Sequence, residues 1–334
     1  MTKPHDHPPV TDQKIGILVI NLGTPDAPTR SAVRRFLAEF LADKRVIETP
    51  RLIWWFILNL FILPLRSSPV AKLYRKIWDK EKDDSPLRII TEHQAQQLQT
   101  DLNNDHIIVK PAMRYGNPSI KKAMGELKQQ NCHKIFAMAL YPQYSATTTA
   151  SSYDECFNIL SKMRYQPTIR TLAPYHDDPA YINAVIQTIR PQLKTQKTDC
   201  LFLSFHGLPQ SYLYKGDPYY CHVCKTVRLI REKLKDIKVE FGFQSRFGKS
   251  EWLKPYSDQK LRELAQSGHH NIIIVSPGFS SDCLETLEEI NVELRDIFLE
   301  AGGKNLTFIP CLNDSKPSRI LLHKLAQDNL AGWI

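Results

Sequence analysis

One histidine and three acidic residues of this sequence are the best candidates for chemistry on a metal ion or a proton. His206 directly follows the apolar run LFLSF, which is typical of a buried strand. Asp282, Glu285 and Glu289 are spaced three and four residues apart, so they would share one face of a helix. A neutral imidazole binds metals and accepts protons, and an acidic stripe can bind a cation or relay protons.

Each of these residues also has an ordinary structural explanation, which the sequence leaves open. His206 could be a half-buried histidine that bonds to the backbone. Asp282 and Glu285 could cap the helix that begins beside them, because early acids favour the positive end of the helix dipole. Glu289 lies two turns into that helix and gains less from capping.

Two arginines, Arg114 and Arg246, each precede an aromatic residue and a glycine. A guanidinium group at either position could bind a substrate carboxylate through two parallel hydrogen bonds, or it could form a structural salt bridge. The sequence does not decide between these roles.

The segment CHVC contains Cys221 and Cys224, with His222 beside the first cysteine. A closed zinc or iron–sulfur site needs four ligands. Since the sequence has no second Cys-x-x-Cys pair, we expect reduced thiols and no iron–sulfur cluster, although these two cysteines stay possible ligands.

Eight short apolar runs would have to position these residues. They span residues 14–25, 106–118, 134–145, 168–175, 199–209, 238–248, 271–281 and 306–313. Apolar runs of this kind between turn residues are typical of buried parallel strands. The second four runs repeat the first four: the first run of each set ends in Gly-x-Pro, and the second ends in arginine, an aromatic residue and glycine. We interpret this as an internal duplication.

The duplication predicts an α/β fold with two similar Rossmann-like domains, each with a roughly four-stranded parallel sheet flanked by helices. We expect a flexible tail over 1–13, a first domain over 14–180 with an insertion at about 30–90, and a second domain over 181–334. Ligands of such sheets bind beyond the carboxyl ends of the strands, so the site should lie in a cleft between the domains. The loops expected to line this cleft follow Leu22, Met113, Leu140, Phe205, Gln244 and Val275.

Neither set of strands carries the glycine-rich loop of a nucleotide-binding domain. The first strand is followed by NLGTPDAP, and the matching strand of the second set leads into FHGLPQSY. Neither segment contains G-x-G-x-x-G, and the sequence has no G-x-x-x-x-G-K-[ST] loop. A nicotinamide or nucleotide cofactor is therefore not expected.

Charge and composition limit the expected partners. The 334 residues carry a formal net charge of +9, and the basic residues are spread along the chain, so nucleic acid is not an expected partner. A positive surface would equally favour anionic membranes or acidic small molecules. The N-terminal segment lacks the apolar run of a secretory signal, and the seven cysteines suit reduced thiols, so we expect a cytoplasmic protein.

The most apolar stretch is RLIWWFILNLFILPLR, which lies between Arg51 and Arg66 in the insertion. It is shorter than the ~18 apolar residues of a membrane span. We expect Pro64 and Arg66 to close it. The stretch could be a core helix or a surface that meets an apolar partner.

Seven motifs together resemble the bacterial type of the ferrochelatase family, and they run in the same order from about Ile15 to Asn313. They are LVINLGTP (18–25), AMRYGNPSI (112–120), LYPQYSATTTASS (140–152), SFHGLP (204–209), GDPYY (216–220), FQSRFG (243–248) and PGFSSDCLETLEEI (277–290). The resemblance implies the chelatase fold and a lyase of heme biosynthesis that inserts ferrous iron into protoporphyrin IX and releases two protons. It also implies that His206 and Glu285 are the catalytic and metal-binding pair, with Asp282 and Glu289 in an acidic relay.

The resemblance further implies porphyrin contacts at Leu22, Arg66, Tyr74, Ser85, Arg114 and Tyr115. Leu22 stands where coproporphyrin-using members have tyrosine, which favours protoporphyrin IX. Ala146 stands where animal members have a cluster-ligating cysteine, so an animal-type iron–sulfur cluster is not expected.

The resemblance suggests a function for the apolar stretch, because protoporphyrin and heme are apolar macrocycles that partition into membranes. We expect Ile53 to Leu65, with Trp54, Phe56 and Leu58, to form a lip that covers the porphyrin and dips shallowly into a bilayer. Ordinary packing of an extra helix is the alternative. The expected location is cytoplasmic and peripherally membrane-associated, and a monomer is favoured although the sequence does not settle the oligomeric state.

Two other functions stay open at this point. A non-catalytic two-lobed protein that binds a metal or heme would also have duplicated α/β domains. A chelatase for another metal or another tetrapyrrole, such as coproporphyrin III, would keep the same fold.

Overall fold

Two parallel sheets organise residues 13–248 and 250–334, which are the residues that the computed structural model describes. The strands are β1 (Lys14–Thr24), β2 (Ile107–Gly116), β3 (Cys132–Ala139), β4 (Thr168–Thr171), β5 (Cys200–His206), β6 (Val239–Gln244), β7 (Asn271–Val275) and β8 (Asn305–Phe308). The first sheet has the order β2-β1-β3-β4 and the second the order β6-β5-β7-β8. The eight predicted strands, the duplication and the α/β fold class are therefore confirmed. The predicted tail over 1–13 lies outside the described residues except for Gln13.

Helices cover the faces of both sheets. They are α1 (Arg30–Leu41), α2 (Arg51–Ile57), α3 (Leu63–Ile77), α4 (Pro86–Leu102), α5 (Ile120–Gln129), α6 (Ser151–Leu160), α7 (Pro179–Thr195), α8 (Gln210–Tyr214), α9 (Tyr219–Lys233), α10 (Ser257–Gln266), α11 (Arg295–Glu300) and α12 (Lys316–Leu330). Three π-helical segments join some of them: Leu58–Ile62, Ala146–Ala150 and Glu285–Leu294. Ser119 and Asp178 cap α5 and α7 by accepting hydrogen bonds from backbone N–H groups.

One buried cluster joins the two sheets. It includes Ile17 of β1 and Phe136 of β3 from the first sheet, and Leu203 of β5 and Ile273 of β7 from the second. Side chains of α7 and α12 complete it, so both sheets are held against common helices. The predicted domain boundary at residue 180 lies in the first turn of α7 and stays a prediction.

A continuous helix, Arg51–Ile77, forms the centre of the insertion and is called the lip helix below. The expectation that Pro64 and Arg66 would close the stretch is wrong. The π-helical turn Leu58–Ile62 ends two residues before Pro64, so the wider turn lies next to the position where the proline offers no N–H. The length argument against a membrane span is also wrong, because these 27 residues could cross a membrane by length and composition alone. In the most apolar 18-residue window the mean hydropathy is 1.3, and 17% of that window is buried.

The two halves of the lip helix have different surroundings. In the second half, Ala71 and Tyr74 pack with Val33 of α1 and with Trp78 in a small buried cluster. The first half exposes large apolar side chains, which we call the apolar face: Leu52, Ile53, Trp55, Phe56, Leu60, Phe61 and Leu65. The second half of the lip helix therefore packs into the protein, whereas the apolar face of the first half is exposed.

Candidate active site

A cavity of about 430 Å³ opens at the carboxyl ends of both sheets. Its size falls within the roughly 300–1,000 Å³ of typical small-molecule sites. Residues at or near the ends of five strands contribute to its wall: Leu22, Leu140, His206, Ser245 and Gly278. The predicted cleft is therefore present, but the loop after Met113 does not line it.

His206 ends β5 with its imidazole in a defined tautomer. Its Nδ1 lies 2.6 Å from the carbonyl oxygen of Gly207. Because a carbonyl oxygen only accepts, Nδ1 of the neutral ring carries the proton, and Nε2 keeps a free lone pair. The predicted hydrogen bond of His206 to the backbone is thus present. It fixes the orientation of the ring and leaves Nε2 available to bind a metal ion or accept a proton.

The acidic residues of the cavity lie on the π-helical segment Glu285–Leu294, where an α-helix was expected. A π-helix closes its hydrogen bonds over five residues and is frequent at functional sites. The wider turn brings four carboxylates to the cavity wall: Glu285, Glu288, Glu289 and Glu293.

Asp282 does not share this face, so that prediction is wrong. It precedes the π-helical segment, is buried and does not line the cavity. Its carboxylate accepts hydrogen bonds from Thr286 Oγ1 at 2.9 Å, Cys311 N at 3.2 Å and Asn313 Nδ2 at 2.6 Å. The capping explanation is not observed either, because no side chain caps the segment.

Two of the four cavity carboxylates are held by partners. Glu289 accepts hydrogen bonds from Ser245 N at 2.6 Å and from Gln244 Nε2 at 3.3 Å. Glu288 pairs with Lys76 of the lip helix, with Nζ 2.5 Å from Oε1. These contacts fix both side chains and offset their charges.

Glu285 and Glu293 lack such partners among the described residues, and Glu285 is the one of the two that also borders a smaller neighbouring cavity. Among residues 13–248 and 250–334 it forms no salt bridge and accepts no hydrogen bond from an N–H or O–H group. The thiol of Cys283 faces it, and burial together with the charge of Glu285 raises the pKa of Cys283 well above its ordinary value. The thiol therefore stays protonated, and the Glu285 carboxylate remains available to a ligand.

Arg114 and Tyr115 do not line the cavity, so the structure does not support the porphyrin contacts predicted there. Arg114 Nη2 lies 2.5 Å from Asp43 Oδ2, and Tyr115 Oη donates to the same oxygen at 2.8 Å. Burial acts to raise the pKa of Asp43, but hydrogen bonds from Ser151 and its other neighbours lower it overall. The alternative role of Arg114, a structural salt bridge, is the one observed.

The other predicted porphyrin contacts divide between two cavities. Leu22 and Arg66 line the main cavity. Tyr74 and Ser85 line a smaller neighbouring one of about 70 Å³, which Leu22 and Glu285 also border. Burial, and then the charge of Glu285, raises the pKa of Tyr74 well above its ordinary value, so its hydroxyl stays neutral.

The three predicted lip residues have three different environments, and none lines the cavity. Trp54 is half-buried and donates from Nε1 to the carbonyl oxygen of Leu41 at 2.7 Å. Phe56 is 49% exposed, whereas Leu58 is only 4% exposed. Of the three, only Phe56 belongs to the apolar face.

The loop after β3 lines the cavity as expected, but sequence reasoning did not identify which of its residues do so. Tyr141, Gln143, Thr147 and Thr148 all line the cavity. The signal was the motif YPQYSATTTASS, whose serines and threonines fit helix capping equally well. Its π-helical turn, Ala146–Ala150, is what turns two threonines toward the cavity.

The CHVC segment lies on α9. Cys221 is exposed and Cys224 is half-buried, and both are free thiols. Within the described part of the chain, no three His, Cys, Asp or Glu side chains lie close enough together to hold a metal ion.

The sequence matches the ferrochelatase family model over residues 14–330. It is similar to a ferrochelatase of Agrobacterium fabrum, 49% identical over 336 residues that cover 99% of this chain and 98% of the relative. It is also similar to a ferrochelatase of Methylocella silvestris, 44% identical over 98% of this chain and 97% of the relative.

Solved structures share the fold. The protein described as SirB from Bacillus subtilis with Fe³⁺ superposes with a TM-score of 0.58 over 95% of each chain, at 12% identity. DR2241 from Deinococcus radiodurans, described as similar to chelatases, superposes with a TM-score of 0.53 over 94% of this chain and 55% of its own. At such identities the likeness concerns the fold alone, and it agrees with the predicted chelatase fold.

Proposed function

Because this chain belongs to the ferrochelatase family, we propose how its own residues carry out the reaction of that family. The protein is a lyase of heme biosynthesis that inserts ferrous iron into protoporphyrin to form heme. The reaction releases the two pyrrole protons, so the site must supply a base and a path for both protons.

We assign the central roles to His206 and Glu285, and one observation carries this proposal. The neutral imidazole of His206 offers the lone pair of Nε2, Glu285 accepts no hydrogen bond from an N–H or O–H group of the described residues, and both side chains line the same cavity. An imidazole nitrogen and a carboxylate oxygen can take Fe²⁺ from water, and either can accept a pyrrole proton.

The proposed exit for protons runs along the π-helical segment. Glu289 and Glu293 follow Glu285 on the cavity wall, so they can pass protons away from the macrocycle. Asp282 is left out of this relay, because its carboxylate is buried and fully engaged by its neighbours.

The porphyrin is proposed to lie against the apolar part of the wall, which includes Leu22, Leu208 and Trp252. Among the described residues that line the cavity, Arg66 is the only lysine or arginine. Its guanidinium group can bind a propionate of the porphyrin. Leu22 lacks the hydroxyl of the tyrosine that coproporphyrin-using members have at this position. This difference supports a preference for protoporphyrin IX.

We propose that the protein works in the cytoplasm at the surface of a membrane. The apolar face of the lip helix supports this, since single exposed apolar residues are common but a continuous apolar face is not. Between residues 30 and 77 the sequence has ten lysines and arginines against three acids, which would attract anionic lipids. A monomer and the absence of an iron–sulfur cluster at Cys221 and Cys224 remain our expectations.

Fluorescence of protoporphyrin during zinc insertion, followed by iron insertion under anaerobic conditions, tests the assignment. His206→Ala should abolish insertion of both metals while porphyrin still binds and quenches tryptophan fluorescence. Retained insertion would refute the role of His206. Porphyrin binding without insertion by the unmodified protein would instead indicate a binding protein.

A further inference from the structure

The motif GDPYY, residues 216–220, has no part in the reaction described above. It follows β5 of the second sheet and forms hydrogen bonds with the segment of the cavity wall that follows β3. Asp217 Oδ2 accepts hydrogen bonds from Ala146 N at 2.8 Å and from Ser145 Oγ at 3.0 Å. These two residues begin the π-helical turn that carries the threonines of the wall. Asp217, which follows β5, thus caps the helical segment that follows β3. Its negative charge also interacts favourably with the positive end of that segment's dipole.

Asp217 also sets the direction of the hydrogen bonds behind the wall. A carboxylate only accepts, so Ser145 Oγ must donate to Asp217. The Thr147 hydroxyl lies 2.9 Å from Ser145 Oγ and must then donate to it. Thr147 lines the cavity, so this series of hydrogen bonds orients a residue of the wall.

The same segment reaches His206. Tyr219 N donates to Asp217 Oδ1 at 3.0 Å, and Tyr219 Oη donates to the carbonyl oxygen of His206 at 3.0 Å. Tyr219 is buried, so water does not compete for these bonds. Asp217 therefore links the threonine wall of the first sheet to the strand end that bears His206.

We propose that Asp217 is a positioning residue, which fixes the threonine wall relative to His206 and thereby the fit of the porphyrin. This inference rests on the proposed function. Looser positioning of the wall weakens porphyrin binding in the ground state and the transition state alike, so the KM for porphyrin rises while kcat is nearly kept.

Asp217→Asn tests the proposal with little change in shape. In either orientation, the amide NH₂ of asparagine would face a backbone N–H, that of Tyr219 or that of Ala146. We expect the KM for protoporphyrin to rise about fivefold to tenfold, from the loss of a helix cap. The kcat should stay within about twofold. The control is Asp328→Asn, which removes the same charge from an exposed pair with Lys324 on α12.

A second variant, Ser145→Ala, removes the hydrogen bond between Ser145 and Asp217 by changing the donor. It tests the positioning role if Asp217→Asn does not fold. Its KM for porphyrin should also rise, and the double variant should show less than the product of the two single effects. An unchanged KM in a folded variant, even one with a lower melting temperature, would overturn the positioning role. Lack of metal insertion by the unmodified protein would count against the proposed function instead.

Discussion

Lys76 of the lip helix and Glu288 of the π-helical segment form an ion pair across the cavity rim, with Nζ 2.5 Å from Oε1. The Glu288 side chain is 8% exposed, whereas that of Lys76 is 58% exposed. A partly solvated ammonium group therefore neutralises a buried carboxylate. Burial and the charges of Glu289 and Glu288 raise the pKa of Glu293, and Lys76 acts in the opposite direction. Lys76 therefore lowers the proton affinity of Glu293.

Lys76→Met should shift the acidic limb of the pH profile to higher pH. Without the cation the pKa of Glu293 rises further, so this group keeps its proton to a higher pH and cannot accept one from the relay. The expected shift is up to about one pH unit in kcat/KM for metal insertion. Lys76→Arg should restore the original profile. Identical profiles for all three proteins would exclude Glu293 from the relay.

Glu285→Gln should impair the chemistry without loss of stability, whereas Glu289→Gln should lower stability in addition to interrupting the proposed proton relay. Glu285 has no N–H or O–H donor among the described residues, so its variant should keep its melting temperature but lose roughly 100-fold or more in kcat. Glu289 accepts hydrogen bonds from Ser245 and Gln244, so its variant should lose about 1–2 kcal/mol of unfolding free energy. Steady-state kinetics and thermal melts of both variants check this. The reverse pattern would move the catalytic role to Glu289.

The strands and the cleft could be predicted from the sequence, because buried parallel strands are continuous apolar runs and their carboxyl ends share one edge. His206 was found in this way, from its place directly after LFLSF. The acidic face was predicted less well. Three-and-four spacing assumes an α-helix, whereas the observed π-helix begins only at Glu285 and leaves Asp282 outside.

Other differences arise from partners that are distant in sequence. Position at a strand end suggested a ligand contact for Arg114, but its partner is Asp43, 71 residues away. Composition also could not show that the lip helix passes Pro64, since this depends on the π-helical turn before it. Local patterns thus predicted elements, and tertiary contacts decided which side chains reach the cavity.

A stacked pair of histidines should make stability depend on pH. The rings of His176 and His222 lie 3.7 Å apart at 7°, and His222 Nδ1 accepts a hydrogen bond from Tyr144 N at 3.2 Å. Burial, then the neighbouring His222, lowers the pKa of His176, and burial lowers that of His222, although Asp177 opposes both shifts. Between the lowered pKa values and about 6.5 the unfolded chain binds more protons than the folded one, so stability falls as pH drops below about 6.5.

Melting temperatures measured from about pH 7.5 down to about pH 5 check this dependence. His176→Phe keeps a flat ring against His222 but cannot be protonated, so its melting temperature should fall less over this interval. His106→Phe, at an exposed position, is the control. Equal slopes for the unmodified protein and His176→Phe would show that the pair does not titrate on unfolding.

The apolar face of the lip helix should determine membrane binding. Leu52, Phe56 and Phe61 are 73%, 49% and 59% exposed, so replacing all three with serine removes apolar surface without opening the core. If each side chain loses about 1 kcal/mol of transfer free energy, binding to liposomes should weaken roughly 100-fold. Phe157→Ser, at a 47% exposed site on α6, should leave binding unchanged. Sedimentation with vesicles of increasing anionic lipid content measures the effect.

The same triple variant separates membrane docking from porphyrin binding. None of the three residues lines the cavity, so metal insertion into porphyrin dissolved in detergent should stay within about twofold. Insertion into porphyrin supplied in vesicles should fall together with liposome binding, because the substrate then enters from the bilayer. Unchanged vesicle binding would mean that this helix only packs as an ordinary insertion. A loss of activity in detergent would instead place the apolar face against the porphyrin itself.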